Sequence, residues 1–441
     1  MVVSSTVERG TDDTKVSEHP GVNNVHHADA ATRKYRKRSL PGPDINARDA
    51  LEDAVVIVPL QPVTPSPSVL TASEPTATDS LAISQDGNDF SYFSEVRIGS
   101  SQKEFLLVID TGSADTWIPS ASCRSPACGT QVTFSSADSS TLNTTDEEFD
   151  ILYGAGDVAG IIVRDTIAFA GFNITADFGL ATNVSDDFIN FAIDGILGLG
   201  LSHGSQQGVP TILDALKESK QIDQKIYGIA LSRAKDKLND GVINFGGIDS
   251  SLFKGNITFT QSLISKGLWE LPLQQLSIDD DSVDLKGTRS AVIDTGTSLM
   301  IIPPEDAMRL HAPIPGAVMQ GETFVVPCAT DAIIGLTFSN QTYYISPRDY
   351  VGDQIPSLST GDDDLCVSLI DGRIILDDTT WLVGDVFLKN VYAVFNLETR
   401  EVGFAAREEK PQKLVDEEDA AGSVRVGWLL AVLGLVAAIC I

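Results

Sequence analysis

The chain has 441 residues, of which 42% are hydrophobic, and its 61 acidic residues against 31 basic ones give a formal net charge of −30. This length exceeds what one ordinary hydrophobic core serves, so we expect two lobes with extensions. Such an acidic surface repels nucleic acid, which is therefore excluded as a partner. The five cysteines and five histidines have no spacing typical of a zinc site, so neither a metal nor another cofactor is expected.

The N-terminal part of the chain is polar. Residues 1–38 end in the basic cluster RKYRKR, which is either a solvated run of charge or the end of a prosegment that is cut after Lys37-Arg38 or docks into an acidic cleft. Residues 39–85 are rich in Pro, Ser and Thr, so we interpret them as a linker. Residues 1–30 contain no apolar run typical of a signal peptide. Either the true N-terminus lies upstream or the protein is not exported, and we favour the first.

The body of the chain consists of short apolar runs bounded by Gly, Asn and Asp, such as KEFLLVID, GVINFGG and VYAVFNLETREVGFA. Several of these runs alternate apolar and polar residues, which predicts a mostly antiparallel β protein. One helix is predicted in the stretch VPTILDALKESKQI, with Pro210 near its start. We divide the body into an N-terminal lobe, residues 86–265, and a C-terminal lobe, residues 266–406.

An apolar strand that ends in Asp-Thr-Gly occurs twice, as VIDTGSADTW and as VIDTGTSLMI, and the two carboxyl groups are those of Asp110 and Asp294. Downstream of each copy, at nearly the same distance, two apolar residues precede a glycine, Gly198 in the first half and Gly384 in the second. A repeat of this length indicates duplication into two similar lobes rather than a solenoid. The alternative, two unrelated structural turns, does not account for the matched surroundings.

Each copy of the repeat delivers a carboxyl group to the end of a strand, and the following Gly lets backbone N–H groups approach it. Two such loops facing each other across a pseudo-twofold axis would put Asp110 and Asp294 side by side. The two groups cannot both ionise cheaply, so one pKa falls and the other rises. The pair would then share one proton, and the ionised member would activate a water molecule between them.

These motifs resemble those of the pepsin-like aspartic endopeptidases, over about residues 86–406. The resemblance implies a mostly β, bilobal fold with a central cleft, which binds a protein or peptide substrate in an extended conformation. It also implies cleavage of peptide bonds at acidic pH by a monomer made as a zymogen, with no metal and no covalent intermediate. The alternative is a catalytically inactive relative that binds protein or carbohydrate at a surface. Such relatives typically lose a catalytic Asp or the flap Tyr, and this chain keeps all three.

The resemblance also assigns roles to residues outside the two carboxyl groups. The segment LYGAGDVAG resembles the hairpin flap that closes over substrate, and Trp117 occupies the place of the flap tyrosine's usual hydrogen-bond partner. Ala155 departs from the hydroxyl or carboxyl residue often found at the flap tip, which puts specificity in doubt. Asp157, two residues on, is a candidate to compensate in part or to favour a basic side chain in the substrate. The residues assigned to flap and substrate binding are Tyr153, Gly154, Trp117, Ser113, Gly296, Thr297 and Ile196. Val108, Val292 and Leu382 are further candidate subsite walls, or simply core.

Four of the five cysteines suggest two disulfides, and the resemblance pairs Cys123 with Cys128 and Cys328 with Cys366. Asn-X-Ser/Thr sequons for glycosylation occur at Asn143, Asn173, Asn183, Asn256 and Asn340. Sequons together with pairable cysteines favour the secretory pathway, and hence an extracellular or cell-surface protein.

The C-terminal part of the chain comprises a charged stalk, residues 407–425, and an uncharged hydrophobic tail, residues 426–441. The tail is short for a membrane-spanning helix, which needs about 20 residues. Small residues precede it, as in a glycolipid-anchor signal. Three alternatives stay open, namely a glycolipid anchor, a plain membrane tail and an incidental tail, and we favour the anchor.

Overall fold

The structure is a computed structural model and describes residues 69–154, 156–191, 193–263, 267–320, 323–355 and 364–407. These residues form 27 strands and four short α-helices, so the prediction of a mostly β protein is confirmed. The helices are Ile212–Glu218, Pro304–His311, Pro347–Tyr350 and Asp385–Leu388. None of the helices within the described ranges is long and apolar enough to cross a membrane. The predicted prosegment and the hydrophobic tail lie outside the described residues.

The N-terminal lobe is built on one eight-stranded sheet. In spatial order its strands are Ser84–Gln85, Tyr92–Ile98, Lys103–Asp110, Gly195–Gly198, Trp117–Pro119, Phe172–Val184, Gly156–Phe169 and Asn143–Tyr153. The second strand also pairs with Gly156–Phe169, which brings Arg97 opposite Ala168 and folds the sheet back on itself. The alternating pattern of the sequence therefore becomes one buried and one exposed face of a curved sheet.

The C-terminal lobe contains three smaller sheets. A five-stranded sheet has the order Glu270–Leu273, Arg289–Ile293, Thr380–Val383, Met300–Ile302 and Ile370–Gly372. A four-stranded sheet has the order Asp281–Val283, Gln275–Ile278, Ile334–Phe338 and Gln341–Ile345. A second four-stranded sheet has the order Val318–Gln320, Thr323–Pro327, Leu365–Ser368 and Val351–Gln354.

A six-stranded sheet joins segments from both halves of the chain. Its order is Ser80–Ala82, Val242–Phe245, Ile226–Ala230, Val391–Asn396, Glu401–Ala406 and Thr258–Gln261. The predicted division at residue 265 therefore does not separate two independent sheets. Since the strands Ser80–Ala82 and Ser84–Gln85 fall within residues 39–85, the interpretation of that whole range as a linker was wrong at its end. The reason is Ile83, which is completely buried and whose N–H donates to the carbonyl of Gly241 at 2.8 Å.

The internal repeat is visible in the strand pairing. In the first half, the strand that ends at Asp110 pairs in parallel with Gly195–Gly198, and Asp110 lies opposite Gly198. In the second half, Arg289–Ile293 pairs in parallel with Thr380–Val383. A side chain at Gly198 would put its Cβ 2.5 Å from the backbone nitrogen of Asp115. Glycine is therefore required where each of these strands passes the loop that carries the carboxyl group.

Two further predictions concern local structure. The predicted helix forms over Ile212–Glu218. It begins at a capping box in which the side chains of Thr211 and Asp214 each accept the other's backbone N–H, and it ends before Lys220, whose φ is +59°. The disulfides Cys123–Cys128 and Cys328–Cys366 are both formed, as the resemblance implied.

Candidate active site

Reciprocal hydrogen bonds tie the two Asp-Thr-Gly loops together. The N–H of Thr111 donates to Oγ1 of Thr295, and the N–H of Thr295 donates to Oγ1 of Thr111, both at 3.0 Å. Each hydroxyl in turn donates to a strand carbonyl of the opposite half, that of Ile293 at 3.0 Å and that of Ile109 at 2.5 Å. Both threonines are buried, so these bonds are shielded from water and fix the distance between the loops.

The carboxyl group of Asp110 lies in a ring of donors from its own loop. Its Oδ1 accepts the N–H groups of Gly112 at 2.8 Å and of Ser113 at 3.2 Å. The Ser113 hydroxyl bonds to Oδ2. The carboxyl group of Asp294 accepts the N–H of Gly296 at 2.8 Å and the Thr297 hydroxyl at 2.6 Å. The predicted supporting residues therefore do contact the two carboxyl groups in matched positions.

The two carboxyl groups are close neighbours. A Cβ placed on Gly112 would lie 2.5 to 2.8 Å from the carboxyl atoms of Asp294, so the first loop reaches the second carboxyl group only because it has glycine there. Asp110 and Asp294 are both 0% exposed. Burial, and next the charge of Asp110, raise the pKa of Asp294 well above its usual value, so the pair retains a proton when an ordinary carboxyl group would have lost it.

An aromatic cluster holds the predicted flap tyrosine. Nε1 of Trp117 donates to the hydroxyl of Tyr153 at 2.9 Å. The ring of Phe188 packs edge-on against both, with ring centroids 5.6 Å from Trp117 and 6.1 Å from Tyr153. Gly154 is exposed in the turn that follows, and Ala155 lies outside the described residues. The sequence pattern located Tyr153 and Trp117 but gave no signal for Phe188.

The predicted subsite walls are not on the surface. Ile196 is 0% exposed and packs in the same apolar cluster as Trp117 and Tyr153. Val292 and Leu382 are likewise buried, next to the strands that flank Asp294. Ile196 therefore packs with the aromatic residues of the site, and its assignment to substrate binding stays a prediction, because Asp110 and Asp294 are equally buried. Core packing, the alternative that the sequence left open, would account for its apolar character as well.

Buried charged groups behind the second loop were not predicted. The N–H of Asp385 donates to the carbonyl of Thr297 at 2.8 Å, and the Asp385 side chain is 1% exposed. Burial raises the pKa of Asp385 well above its usual value. Nearby, Nζ of Lys389 lies 3.4 Å from Asp89 and 3.6 Å from Asp349. The only sequence signal was the position of Asp385 directly after the repeated glycine, because the other partners are distant along the chain.

The chain matches the family model described as eukaryotic aspartyl protease over residues 91–407. It is 44% identical to a probable aspartic-type endopeptidase CTSD of Arthroderma benhamiae over 76% of this chain and 65% of that protein. It is 39% identical to the aspartic-type endopeptidase ctsD of Aspergillus fumigatus over 77% of this chain and 70% of that protein. It is 31% identical to pepsin A of Sus scrofa over 72% and 81%. The chain spans about 65% of the length of the first of these relatives. By sequence, fold and loop geometry, the chain belongs to the eukaryotic aspartyl protease family.

Proposed function

We propose that the chain is an aspartic endopeptidase that hydrolyses peptide bonds of proteins at acidic pH, with Asp110 and Asp294 as the catalytic pair. The observation that carries this proposal is the matched pair of loops, which holds two buried carboxyl groups together and raises the pKa of Asp294. The names of the relatives, aspartic-type endopeptidases, support the same activity. A catalytically inactive binding protein would have no use for a preserved, proton-sharing pair.

The hydrogen bonds distinguish the two carboxyl groups. Asp110 accepts bonds from two N–H groups and one hydroxyl, whereas Asp294 accepts one N–H and one hydroxyl. Because donors stabilise the ionised form, Asp110 is the carboxylate and Asp294 keeps the proton. Asp110 takes a proton from a water molecule whose oxygen attacks the peptide carbonyl carbon, while Asp294 gives its proton to the carbonyl oxygen. When the C–N bond breaks, Asp110 returns its proton to the leaving nitrogen, and the second carboxylate recovers one from the diol hydroxyl.

The flap supplies the other part of the proposed mechanism. Tyr153, held by Trp117 at 2.9 Å, would order an extended polypeptide over the carboxyl pair and exclude bulk water, with Gly154 allowing the turn to move. Ser113, Gly296 and Thr297 orient the carboxyl groups through the hydrogen bonds that they donate to them. The enzyme would act as a monomer, because all of these residues come from one chain.

The remaining segments fit a secreted zymogen. In this proposal residues 1–38 are a basic prosegment that occupies the cleft at neutral pH, and acid releases it by protonating cleft carboxylates. All five sequon asparagines are exposed, so each is accessible for glycosylation in the secretory pathway. The tail, residues 426–441, would serve as a glycolipid-anchor signal. Equal rates of maturation at pH 7 and pH 4 would contradict the proposed acid release.

The proposed activity is tested by incubating the full chain with an unfolded protein at pH 3 to 5 and identifying the products by mass spectrometry. We expect internal cleavages that disappear in Asp110→Asn. The matched control is Asp146→Asn, which changes an exposed carboxyl group in the same lobe. Loss of cleavage in the control, or full cleavage by Asp110→Asn, would contradict the assignment of the pair.

A further inference from the structure

A cavity of about 380 Å³ opens on the C-terminal lobe, between the start of the helix Pro304–His311, the hairpin that contains Met319 and the segment after strand Ile370–Gly372. Its volume lies in the range of small-ligand sites. Two apolar side chains at its mouth are half exposed, Met319 at 54% and Ile374 at 57%. Exposed apolar side chains grouped around a concavity indicate a binding surface.

The cavity contains one cation, Arg373. Nε of Arg373 lies 2.6 Å from the carboxylate of Asp371, and the Arg373 side chain is 20% exposed. Among the described residues, Nη2 of Arg373 is buried and has no hydrogen-bond partner. A guanidinium group has five N–H donors in a planar fork, so this side chain retains donor capacity that Asp371 does not use.

The cavity lies beside the five-stranded sheet that also carries the second Asp-Thr-Gly loop. Ile375 lines the cavity and also packs against the apolar cluster that contains Val292 and Leu382, on the strands that flank Asp294. In addition, Gly372 at the cavity lies opposite Ile302, on the strand that follows the second Asp-Thr-Gly loop. A polypeptide bound at the carboxyl pair in an extended conformation must therefore run along the C-terminal lobe to reach this cavity.

We propose that this cavity binds an acidic side chain of the substrate, with Arg373 as the residue that recognises the carboxylate and Met319 and Ile374 contacting its apolar stem or neighbour. The proposal rests on the proposed function, because it concerns substrate in the same site. Two observations point to a carboxylate: the donor capacity left on a guanidinium group, and a planar fork that matches carboxylate geometry. The rest of the cavity lining is apolar and would not compensate a small inorganic anion for its lost hydration. The proposed ligand is therefore an acidic residue that has an apolar stem or an apolar neighbour.

The test uses pairs of peptides that differ by Glu or Gln at a single position, scanned on both sides of the cleaved bond. At pH 5, where a Glu side chain is ionised, we expect kcat/KM for the Glu peptide to be about tenfold higher at one position, as one charge-assisted hydrogen bond would give. The preference should fall to about one in Arg373→Met and be partly kept in Arg373→Lys. Arg97→Met is the control, because Arg97 is an exposed arginine of the other lobe.

A second variant guards against misfolding, since Arg373→Met removes an ion-pair partner of the buried Asp371. Met319→Glu changes an exposed side chain at the cavity mouth, and the added carboxylate should repel acidic peptides and lower the Glu-to-Gln ratio. Binding of the same peptides to Asp294→Asn, measured by fluorescence anisotropy, gives the ratio without cleavage.

The outcomes separate this inference from the proposed function. Cleavage with a Glu-to-Gln ratio near one at every position, or a ratio that Arg373→Met and Met319→Glu leave unchanged, overturns the inference and leaves the function intact. Binding to Asp294→Asn that depends on Arg373, without cleavage by the unmodified chain, supports the inference and refutes the function. A Glu-to-Gln ratio that is near one in the full chain and rises only after removal of residues 408–441 would mean that the chain's own acidic segment 416–419 fills the cavity. The cavity would then not select substrate in the full chain, which also overturns the inference.

Discussion

The reciprocal threonine bonds between the two loops give a stability prediction whose size follows from the structure. Thr111→Val keeps the shape of the side chain but removes its hydroxyl. That hydroxyl accepts the N–H of Thr295 at 3.0 Å and donates to the carbonyl of Ile293 at 3.0 Å. Thr111 and Thr295 are 0% and 2% exposed, so water does not replace the lost partner.

Each buried backbone group deprived of its partner costs about 1–3 kcal/mol, so Thr111→Val should lower the free energy of unfolding by about 2–6 kcal/mol. Thr111→Ser is the matched control. It keeps the hydroxyl and loses one methyl group, which costs about 1 kcal/mol. Because a whole domain has about 5–15 kcal/mol of stability, the difference between the two variants is measurable.

The assay is urea unfolding at pH 5, followed by the fluorescence of buried tryptophans such as Trp117, Trp269 and Trp381. Activity on a peptide should fall with stability in Thr111→Val, because the same bonds set the spacing of the carboxyl groups. If Thr111→Val unfolds within about 0.5 kcal/mol of Thr111→Ser, these bonds do not hold the loops together and the reasoning is refuted.

Three other perturbations have expected outcomes. Trp117→Phe removes the 2.9 Å bond to Tyr153 and should lower kcat/KM about tenfold in peptide assays; a change under twofold would mean that this bond does not position the flap. Burial lowers the pKa of His311 to about 4, so the unfolded chain binds the proton first and stability is lost as the pH falls from 6.5 to 4. In His311→Phe, the fall in the free energy of unfolding between pH 6.5 and 4, measured by urea titration, should be smaller by about 3 kcal/mol. If the free energy of unfolding depends on pH as strongly in the variant as in the unmodified chain, His311 is not the source of the loss. Replacing both Cys328 and Cys366 by Ala opens a loop with a sequence separation of 38 and should cost about 4 kcal/mol; a loss below 1 kcal/mol in urea unfolding would contradict this.

The duplicated part of the site was predictable from the sequence. Asp110 and Asp294 each follow an apolar run, and each is followed downstream by a glycine in the same setting, so the pairing of the two halves could be inferred without coordinates. The structure adds Thr111 and Thr295, which occur in both copies but whose reciprocal bonds depend on how closely the loops approach. Nothing in a linear pattern reports that distance.

The roles of residues whose partners are distant along the chain could not be predicted from the sequence. The strand Ser80–Ala82 looked like linker because it lies in a range rich in Pro, Ser and Thr, and nothing in the sequence signalled its pairing with the distant strand Val242–Phe245. Ile196 stays a candidate subsite wall, because apolar residues serve equally in cores and in clefts and its neighbours Trp117 and Tyr153 belong to the site. Arg373 carried no motif at all, and it became a candidate once its unused donors were seen in a cavity.

The central claim is that Asp110 and Asp294 share one proton and together activate water. The most direct measurement is kcat/KM for a peptide as a function of pH, for the unmodified chain and for Asp294→Asn. The account predicts a bell-shaped profile for the unmodified chain: the acid limb reports protonation of Asp110, and the other limb reports loss of the proton from Asp294, whose pKa is raised. Asp294→Asn should be slower by about a thousandfold or more throughout, because the proton donor is gone. An Asp294→Asn enzyme with the rate and pH profile of the unmodified chain would contradict the account.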